Sequence, residues 1–392
     1  MIVGGGLIGA TMLQALSPLG FSCLLVEAKP FSSKVSADFD ARSLALAPAS
    51  VNILKMTDLW SLLESYVTPI DMIHISLQGA FGRARLCGEE HLPLGFVVEM
   101  QYIYRALGLR LDKRHLLAPA ELLTLDSVTG RAVIKDTDGE RVVEARLIIA
   151  ADGADSRLRH LCGLKASIRE YEHQALIANI GLARPHLGQA FERFTSSGPL
   201  ALLPLTDNRA SLVWSMPPSE GARLVSTSES YFLNSLQKAF GYRLGRFVKV
   251  GRRVLYPLRQ IIMPQQVKDR VIFVGNAAHT LHPVAGQGFN LGLRDVAMLA
   301  QCIAKQGLGP EMLNSYQLAR VYDQKAITWF TNGLIDFSTF QLPGFSLLRG
   351  AGLIAFDHLA VAKGLVARYA RGFAGTPPDL ACQIPLEVWE HE

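Results

Sequence analysis

Met1-Ile2-Val3-Gly4-Gly5-Gly6-Leu7-Ile8-Gly9-Ala10 opens the chain, and the reading of this stretch decides the fold. Three apolar residues suited to a buried strand deliver a G-x-G-x-x-G pattern at Gly4, Gly6 and Gly9, and Ala10 to Leu16 continue as an apolar helix. Phe21 to Val26 read as a second strand ending in the acid Glu27, 18 residues past Gly9. Each glycine has its own task in such a turn. Gly4 permits the tight bend, Gly6 lets the backbone approach a pyrophosphate, and Gly9 allows helix and strand to pack closely. The helix N-terminus then turns free N–H groups and a partial positive charge toward the phosphates. Glu27 is placed to accept hydrogen bonds from a ribose diol. The order strand, glycines, helix, strand, acid predicts a dinucleotide-binding βαβ unit without choosing the dinucleotide. A first strand of three residues is short against the usual length of about five or six, so further sequence upstream is expected.

The rest of the composition narrows the classes. A chain of 392 residues has room for two domains. Apolar residues make up 49% and charged residues only 19%, which suits a deeply buried cofactor, an apolar substrate or a surface facing a membrane. No stretch reaches the roughly 18–20 uninterrupted apolar residues needed to span a bilayer. The N-terminus reads as strand and glycine loop, with neither the basic flank nor the cleavage site of a secretory signal. Five dispersed cysteines, Cys23, Cys87, Cys162, Cys302 and Cys382, form no CxxC pair. That pattern argues for a reducing compartment and against a disulfide scaffold or a metal site, so a cytoplasmic protein is expected. The net charge of +5 comes without a dense Lys/Arg run interleaved with aromatics, so nucleic acid is not an expected partner. A mild attraction to anionic lipid headgroups fits it better.

Two later stretches repeat the logic of strand, glycine and polar loop. Leu147 to Ala151 form a β-like run that ends in Asp152-Gly153-Ala154-Asp155-Ser156-Arg157-Leu158-Arg159. Val271 to Val274 form another, followed by Gly275-Asn276-Ala277-Ala278-His279-Thr280-Leu281-His282-Pro283-Val284-Ala285-Gly286-Gln287-Gly288-Phe289-Asn290 and a helix from about Leu291. A second helix N-terminus is therefore presented to an anionic or electron-rich group, such as the pyrimidine edge of a reduced flavin.

Together the patterns G-x-G-x-x-G, D-G-x-x-S-x-x-R and G-[DN]-A-A-H-x-x-x-P-x-x-G-Q-G-x-N resemble the para-hydroxybenzoate hydroxylase-like family of FAD monooxygenases, over roughly residues 1–325. Within it the ubiquinone-biosynthesis hydroxylases are most similar, through Phe191-Glu192-Arg193-Phe194-Thr195, Gly198 to Pro204 and Ser211 to Trp214. Gly275 to Ala278 with Thr280 to Pro283 most resembles 2-polyprenyl-6-methoxyphenol hydroxylase. The resemblance implies an α/β fold, a Rossmann-like FAD-binding domain interrupted by a mainly β substrate domain, with a C-terminal helical region. The implied extents are 1–70, 95–165 and 255–325 for the FAD domain, 71–94 and 166–254 for the substrate domain, and 326–392 for the helical region and tail. Strand candidates in the substrate domain are Ala175–Leu182, Ala190–Phe194, Leu200–Leu205 and Ala210–Trp214.

Roles carry over position by position. The resemblance implies that Gly4, Gly6 and Gly9 hold the pyrophosphate, that Glu27 holds the adenosine ribose, and that Arg42 lies against the cofactor. Asp152 and Gly153 match the motif that serves both FAD and passing NAD(P)H. Asn276 stands where most of the family has Asp, keeping an acceptor for the ribityl chain and adding a donor. Pro283 is expected near the isoalloxazine, and the backbone through Gly286, Gln287, Gly288, Phe289 and Asn290 along its pyrimidine edge. Glu99 falls where many relatives carry Arg or Gln. His279 and His282 are read first as residues that fix the loop; His282 and Pro283 are the candidates for a catalytic part, with no catalytic residue assigned. The implied reaction uses FAD as cofactor, NAD(P)H as co-substrate and O2, through a C4a-hydroperoxyflavin, to hydroxylate a polyprenylated methoxyphenol. No second G-x-G-x-x-G appears, so NAD(P)H is expected to visit without a Rossmann domain of its own.

From Ala326 to Phe373 the chain reads as helical and apolar, broken at Pro343, either covering the FAD domain or meeting lipid or a partner. A peripheral position at the inner membrane and contact with other ubiquinone-biosynthesis proteins are therefore open. The tail beyond Gly375 reads as loosely ordered. Hydroxylation of a small soluble aromatic acid, and a flavin-binding scaffold without turnover, remain the alternatives.

Overall fold

A computed structural model of the chain describes residues 1–30, 39, 42–88, 92–282, 286–339 and 345–387. Pro283 and Pro343 lie outside the described residues.

Short strands, wholly apolar except at the edge residue Lys268, produce a sheet covered on both faces. Its order is Val267–Lys268, Val271–Phe273, Ile148–Ala150, Ile2–Val3, Leu25–Val26, Leu116–Leu117, parallel apart from the first pairing. The alternation of a strand sorts the side chains. Ile2, Leu25, Ile149 and Ile272 enter a core shared with the helices Leu7–Leu16 and Gln287–Gln306. Val3, Val26, Ile148, Ala150, Val271 and Phe273 face the opposite way. There they meet an antiparallel three-stranded sheet, Ala120–Asp126, Arg131–Asp136 and Gly139–Glu144.

A second, nine-stranded sheet is mainly antiparallel. Ser167–Leu182 is its longest strand and pairs with Arg209–Met216, Phe247–Val250 and Val254–Ile262. Pro199–Leu205, Gln189–Phe194, Met72–Leu77 and Arg83–Cys87 continue it outward. The strand candidates in the sequence all fall inside these longer observed strands. One face is closed by the helices Pro218–Ser226 and Glu229–Phe240, through Leu224, Phe232, Leu236 and Phe240. The other meets a small antiparallel sheet, Ser43–Leu46, Gly95–Glu99 and Val67–Ile70, and the C-terminal helices through Leu353, Phe356 and Val366. At the far edge, His279–Thr280 pairs with Ile261–Ile262, so the loop that follows Val271–Phe273 is itself hydrogen-bonded into the large sheet.

Three local expectations are corrected. The run Phe21–Val26 pairs as a strand only at Leu25–Val26, since its outer neighbour, Leu116–Leu117, is itself two residues long. The helix expected from about Leu291 begins at Gln287, because Gly286 takes a left-handed conformation (φ 61°) and turns the chain directly into it. The described part of the segment beyond Gly375, up to residue 387, is anchored, not loose. Leu380 and Ala381 are buried in the main core, the Ala381 carbonyl accepts from Asn52 at 2.8 Å, and Lys305 pairs with Asp379 at 2.8 Å.

Candidate active site

Ile2–Val3, Ile148–Ala150 and Val271–Phe273 are neighbours and parallel, so the loops that leave them emerge at one edge, the position where open parallel sheets bind ligands. Backbone contact there is very close. A Cβ on Gly4, whose φ is +105°, would stand 2.4 Å from the Ala151 carbonyl oxygen, and one on Gly9 would stand 1.9 Å from that of Gly4. A Cβ on Gly6, Gly153 or Gly288 would meet nothing within 4 Å. Two kinds of glycine are thus separated: Gly4 and Gly9 let the protein pack on itself, while Gly6, Gly153 and Gly288 leave bare backbone facing open space. The helix starting at Leu7 has no side-chain cap at Gly6, and that starting at Gln287 has none at Gly286, so both N-termini remain available to an anion.

Side chains stiffen this edge. The Glu27 carboxylate accepts from the Gly5 N–H at 2.5 Å and from the Lys29 N–H at 2.9 Å, which seats it against the glycine turn. One oxygen of Asp152 accepts from the Leu158 N–H at 3.0 Å; the other is buried with no partner among the described residues. Arg159, buried, donates to the carbonyls of Ala154 (2.7 Å) and Ala277 (3.3 Å), stapling the Asp-Gly loop to the Gly275–Ala278 turn. Arg259 of the large sheet pairs with Asp155 at 2.7 Å. Asn290 accepts from the Ala47 N–H at 2.8 Å and donates to the Ala45 carbonyl at 2.9 Å, tying the second glycine loop to the small sheet. Arg42, at the base of that sheet, lies exposed with its guanidinium 5.9 Å from the Tyr256 ring. Asn276 is exposed on its turn, and Gln287 and Phe289 lie in the first turn of their helix.

The two histidines separate. His279 is fully buried and contacts Asp295 at 2.6 Å. Asp295 also accepts from the Gly275 N–H (2.8 Å) and from Arg320 (2.7 Å). Burial alone would raise this acid, but His279 and Arg320 outweigh it and hold its pKa at about 2. Arg320 also pairs with Asp323, which pairs in turn with Arg294. None of these four helix-borne charges was marked as functional by the sequence. The signal was there as Arg294-Asp295 and Arg320-x-x-Asp323 on apolar helix faces, where an unpaired charge is rarely tolerated. His282 is buried edge-on to Tyr171, at 5.1 Å between rings, and burial, with His173 adding, lowers its pKa to about 4. Glu99 is also buried, but it pairs with Arg209 at 2.9 Å.

The residue set fits a dinucleotide: bare glycine backbone, two uncapped helix N-termini, an acid seated against the turn and an unpartnered Asp152 oxygen that can accept from a hydroxyl. These features define a dinucleotide-binding protein. A family model described as an FAD binding domain matches residues 1–330. The chain is 33% identical to ubiquinone hydroxylase UbiL of Rhodospirillum rubrum, covering 98% of this chain and 93% of that protein. It is 30% identical to 3-demethoxyubiquinol 3-hydroxylase of Escherichia coli, covering 95% and 97%. In fold it is similar to p-nitrophenol 4-monooxygenase PnpA of Pseudomonas putida, with a TM-score of 0.78 at 16% identity over 96% of this chain and 98% of that one. The chain belongs to the FAD-binding-domain family, in its ubiquinone-biosynthesis branch of FAD-dependent monooxygenases.

Proposed function

We propose that the chain hydroxylates the ring of a polyprenylated methoxyphenol in ubiquinone biosynthesis, with NAD(P)H and O2 as co-substrates. The observation that carries the reading is similarity to two enzymes named as ubiquinone or ubiquinol hydroxylases along nearly the whole chain, flavin loops included.

FAD would be held by Gly4, Gly6 and Gly9 at its pyrophosphate, Glu27 at the adenosine ribose, Asp152 and Asn276 at hydroxyls, and Gly286 to Asn290 at the pyrimidine edge. Arg42, Gly153 and Pro283 belong to the same proposal on the family resemblance. When bound, the flavin supplies the two-electron chemistry and the activation of oxygen. The chain's own work is to fix, shield and orient. Asp295 fixes the Gly275 turn from behind, so Asn276 is presented on a rigid backbone. Leu281, Leu291 and Ile327 form an apolar seal beside His282. With its pKa near 4, His282 is neutral at pH 7 and can donate or accept a hydrogen bond without adding a charge.

The same proposal divides the chain into the flavin segments 1–70, 95–165 and 255–325, the substrate segments 71–94 and 166–254, and a helical region 326–392. Among the described residues no single helix is long and apolar enough to cross a membrane, but Gly350–His358 and Ala360–Ala370 meet at a 91° bend. Around that bend Leu359, Val361 and Leu365 are exposed. An amphipathic corner of this kind supports peripheral attachment at the inner membrane, where a prenylated substrate resides.

The test is to record the visible spectrum of the purified protein and titrate NAD(P)H with a prenylated 6-methoxyphenol. Flavin bands, phenol-stimulated NAD(P)H oxidation and a hydroxylated product are expected. Stimulation by small aromatic acids instead, or bound flavin without any stimulation, would replace this reading by a small-aromatic hydroxylase or a scaffold.

A further inference from the structure

The registers of the large sheet line up one row of side chains across six strands: Val254, Ile177, Val213, Ala201, Glu192 and Ile75. All point to the face turned toward the small sheet and the C-terminal helices. Every member of this row is only half-buried. The next row on the opposite face, Ala178, Leu212, Leu202 and Phe191, reaches at most 4% exposure. On the row's own face Ala175, Ser215 and Phe194 on one side and Asn179, Ser211 and Ala190 on the other are buried, while Tyr256, Leu203 and Ile73 beside them are half-buried like the row itself. Interior strands of a covered sheet keep accessible surface along a row and beside it only where a trough runs above them. With neighbouring strands about 4.8 Å apart, five gaps give a trough roughly 24 Å long. It is apolar except for Glu192.

With Arg42 assigned to the flavin as proposed above, the Val254 end of this trough lies toward the cofactor. Asn179 donates to the Phe39 carbonyl at 2.6 Å, and Tyr256, two residues from Val254 on the same strand face, carries the Arg42 guanidinium over its ring. We propose that this row is the substrate groove and that Glu192 takes the phenol proton from the ring bound in it. The assignment rests on the reading of the chain as a phenol hydroxylase and narrows its substrate to a neutral, elongated, apolar phenol, since the row holds no cation to receive an aromatic carboxylate. In the step, the phenol O–H bond breaks, its electron pair stays on the ring oxygen, and the proton moves to a carboxylate oxygen of Glu192. The ring becomes the electron-rich phenolate, and no oxidation accompanies the transfer. Burial raises the acid of Glu192 to about 7, poised for a base working near neutrality.

No charge from the surrounding elements accounts for that shift. Arg193, next on its strand, points to the opposite face and donates to Ala239 and Ser76. Glu99 of the small sheet pairs with Arg209 of the large one, Asp357 and Lys363 of the C-terminal helices pair with each other, and Arg42 lies over Tyr256.

The experiment compares flavin-loaded wild type with Glu192→Gln and Glu192→Asp, using 2-methoxyphenol carrying one prenyl unit as probe. It measures kcat/KM against pH, bound flavin, and ionisation of the bound phenol by difference absorbance. Glu192→Gln is expected to keep its flavin, lose about 100-fold or more in kcat/KM, leave the bound phenol un-ionised and lose the acidic limb near pH 7. Glu192→Asp is expected to retain the limb at an intermediate rate. A Glu192→Gln enzyme with the wild-type rate and limb overturns the assignment while the hydroxylase reading stands. So does a Glu192→Asp enzyme without the limb. A wild type that binds flavin but ignores the phenol overturns the hydroxylase reading and this assignment with it.

Discussion

The nucleotide-binding edge and the trough of the large sheet solve two different problems with two different materials. At the edge the working parts are backbone: glycines at positions 4, 6 and 9, two helix N-termini and one short polar turn, each contiguous in sequence. In the trough they are side chains, one per strand, brought together from residues 75 to 254 by register alone. A phosphate presents the same oxygens in every dinucleotide, so its cradle can be a fixed local pattern. A substrate differs from enzyme to enzyme, and a row of single side chains can be changed one at a time without disturbing the pairing beneath it.

The sharpest way to break the comparison is at the glycines themselves. Gly9→Ala would place a Cβ 1.9 Å from the Gly4 carbonyl oxygen, an obstacle made of backbone that cannot swing aside. A loss on the order of 5 kcal/mol, with no flavin retained, is expected in thermal unfolding and absorbance. Gly6→Ala has open space, so stability should move by less than about 1 kcal/mol while flavin affinity falls. If both variants lose only flavin, the division between packing glycines and ligand-facing glycines is wrong.

Behind the edge, Asp295→Asn should cost about 3–5 kcal/mol, since it leaves Arg320 buried beside a neutral group. The sign of the pH effect follows from the depressed acid. The native carboxylate, at about 2, binds its proton later than the unfolded one at 3.8, so its contribution is complete above 3.8 and is lost as pH falls through 2. Denaturant midpoints of the wild type should converge on those of the variant in that acid range. Midpoints that run parallel at all pH values would remove Asp295 from the acid transition.

These two predictions also mark what the sequence made legible. Gly4, Gly6, Gly9 and Glu27 could be picked out because a strand, a bend and a helix start leave a fixed spacing, whereas Asp152, Asn276 and Asn290 were read only through the resemblance of their motifs to a family. The structure brings the three loops to one edge. Asp295 lies beyond the last motif and showed no purpose in the sequence, because its partners are His279 on the loop and Arg320 on the next helix. Glu192 was quoted as part of Phe191-Glu192-Arg193 and nothing more. Alternation along one strand says that it and Arg193 oppose each other, but not which faces the void; that requires the pairing of Gln189–Phe194 with two neighbours. The early start of the helix at Gln287 was hidden for a related reason, as Gly286 reads equally well as loop or as the turn into a helix.

Glu192 supplies a smaller and oppositely signed effect on stability. Its native acid, at about 7 against the ordinary 4.5, holds its proton more tightly than in the unfolded chain. The wild type should therefore lose stability relative to Glu192→Gln as pH rises from about 4.5 to 7, by roughly 1–3 kcal/mol, and no further above that. Unfolding midpoints of the two proteins across this window measure it directly. A variant less stable than wild type at pH 8 would mean that the carboxylate has a partner and faces no apolar void.

The smallest effect is the most discriminating about the trough. Val213 is half-buried in the middle of the row, between Ile177 and Ala201. In a filled core, Val→Ala removes contacts on all sides and leaves a cavity, at a cost well above the transfer of its lost methyls. On the wall of an existing trough the same change removes contacts on the protein side only, so Val213→Ala should cost less than about 1 kcal/mol of stability. Its loss should appear instead against the prenylated phenol, about 0.8 kcal/mol per buried CH2. For the two carbons removed, that corresponds to a KM raised by roughly tenfold with kcat nearly unchanged, the signature of binding lost equally in ground and transition states. A destabilised variant with an unaltered KM would show that the row is ordinary core, and would leave the nucleotide edge as the part of this enzyme that structure can assign.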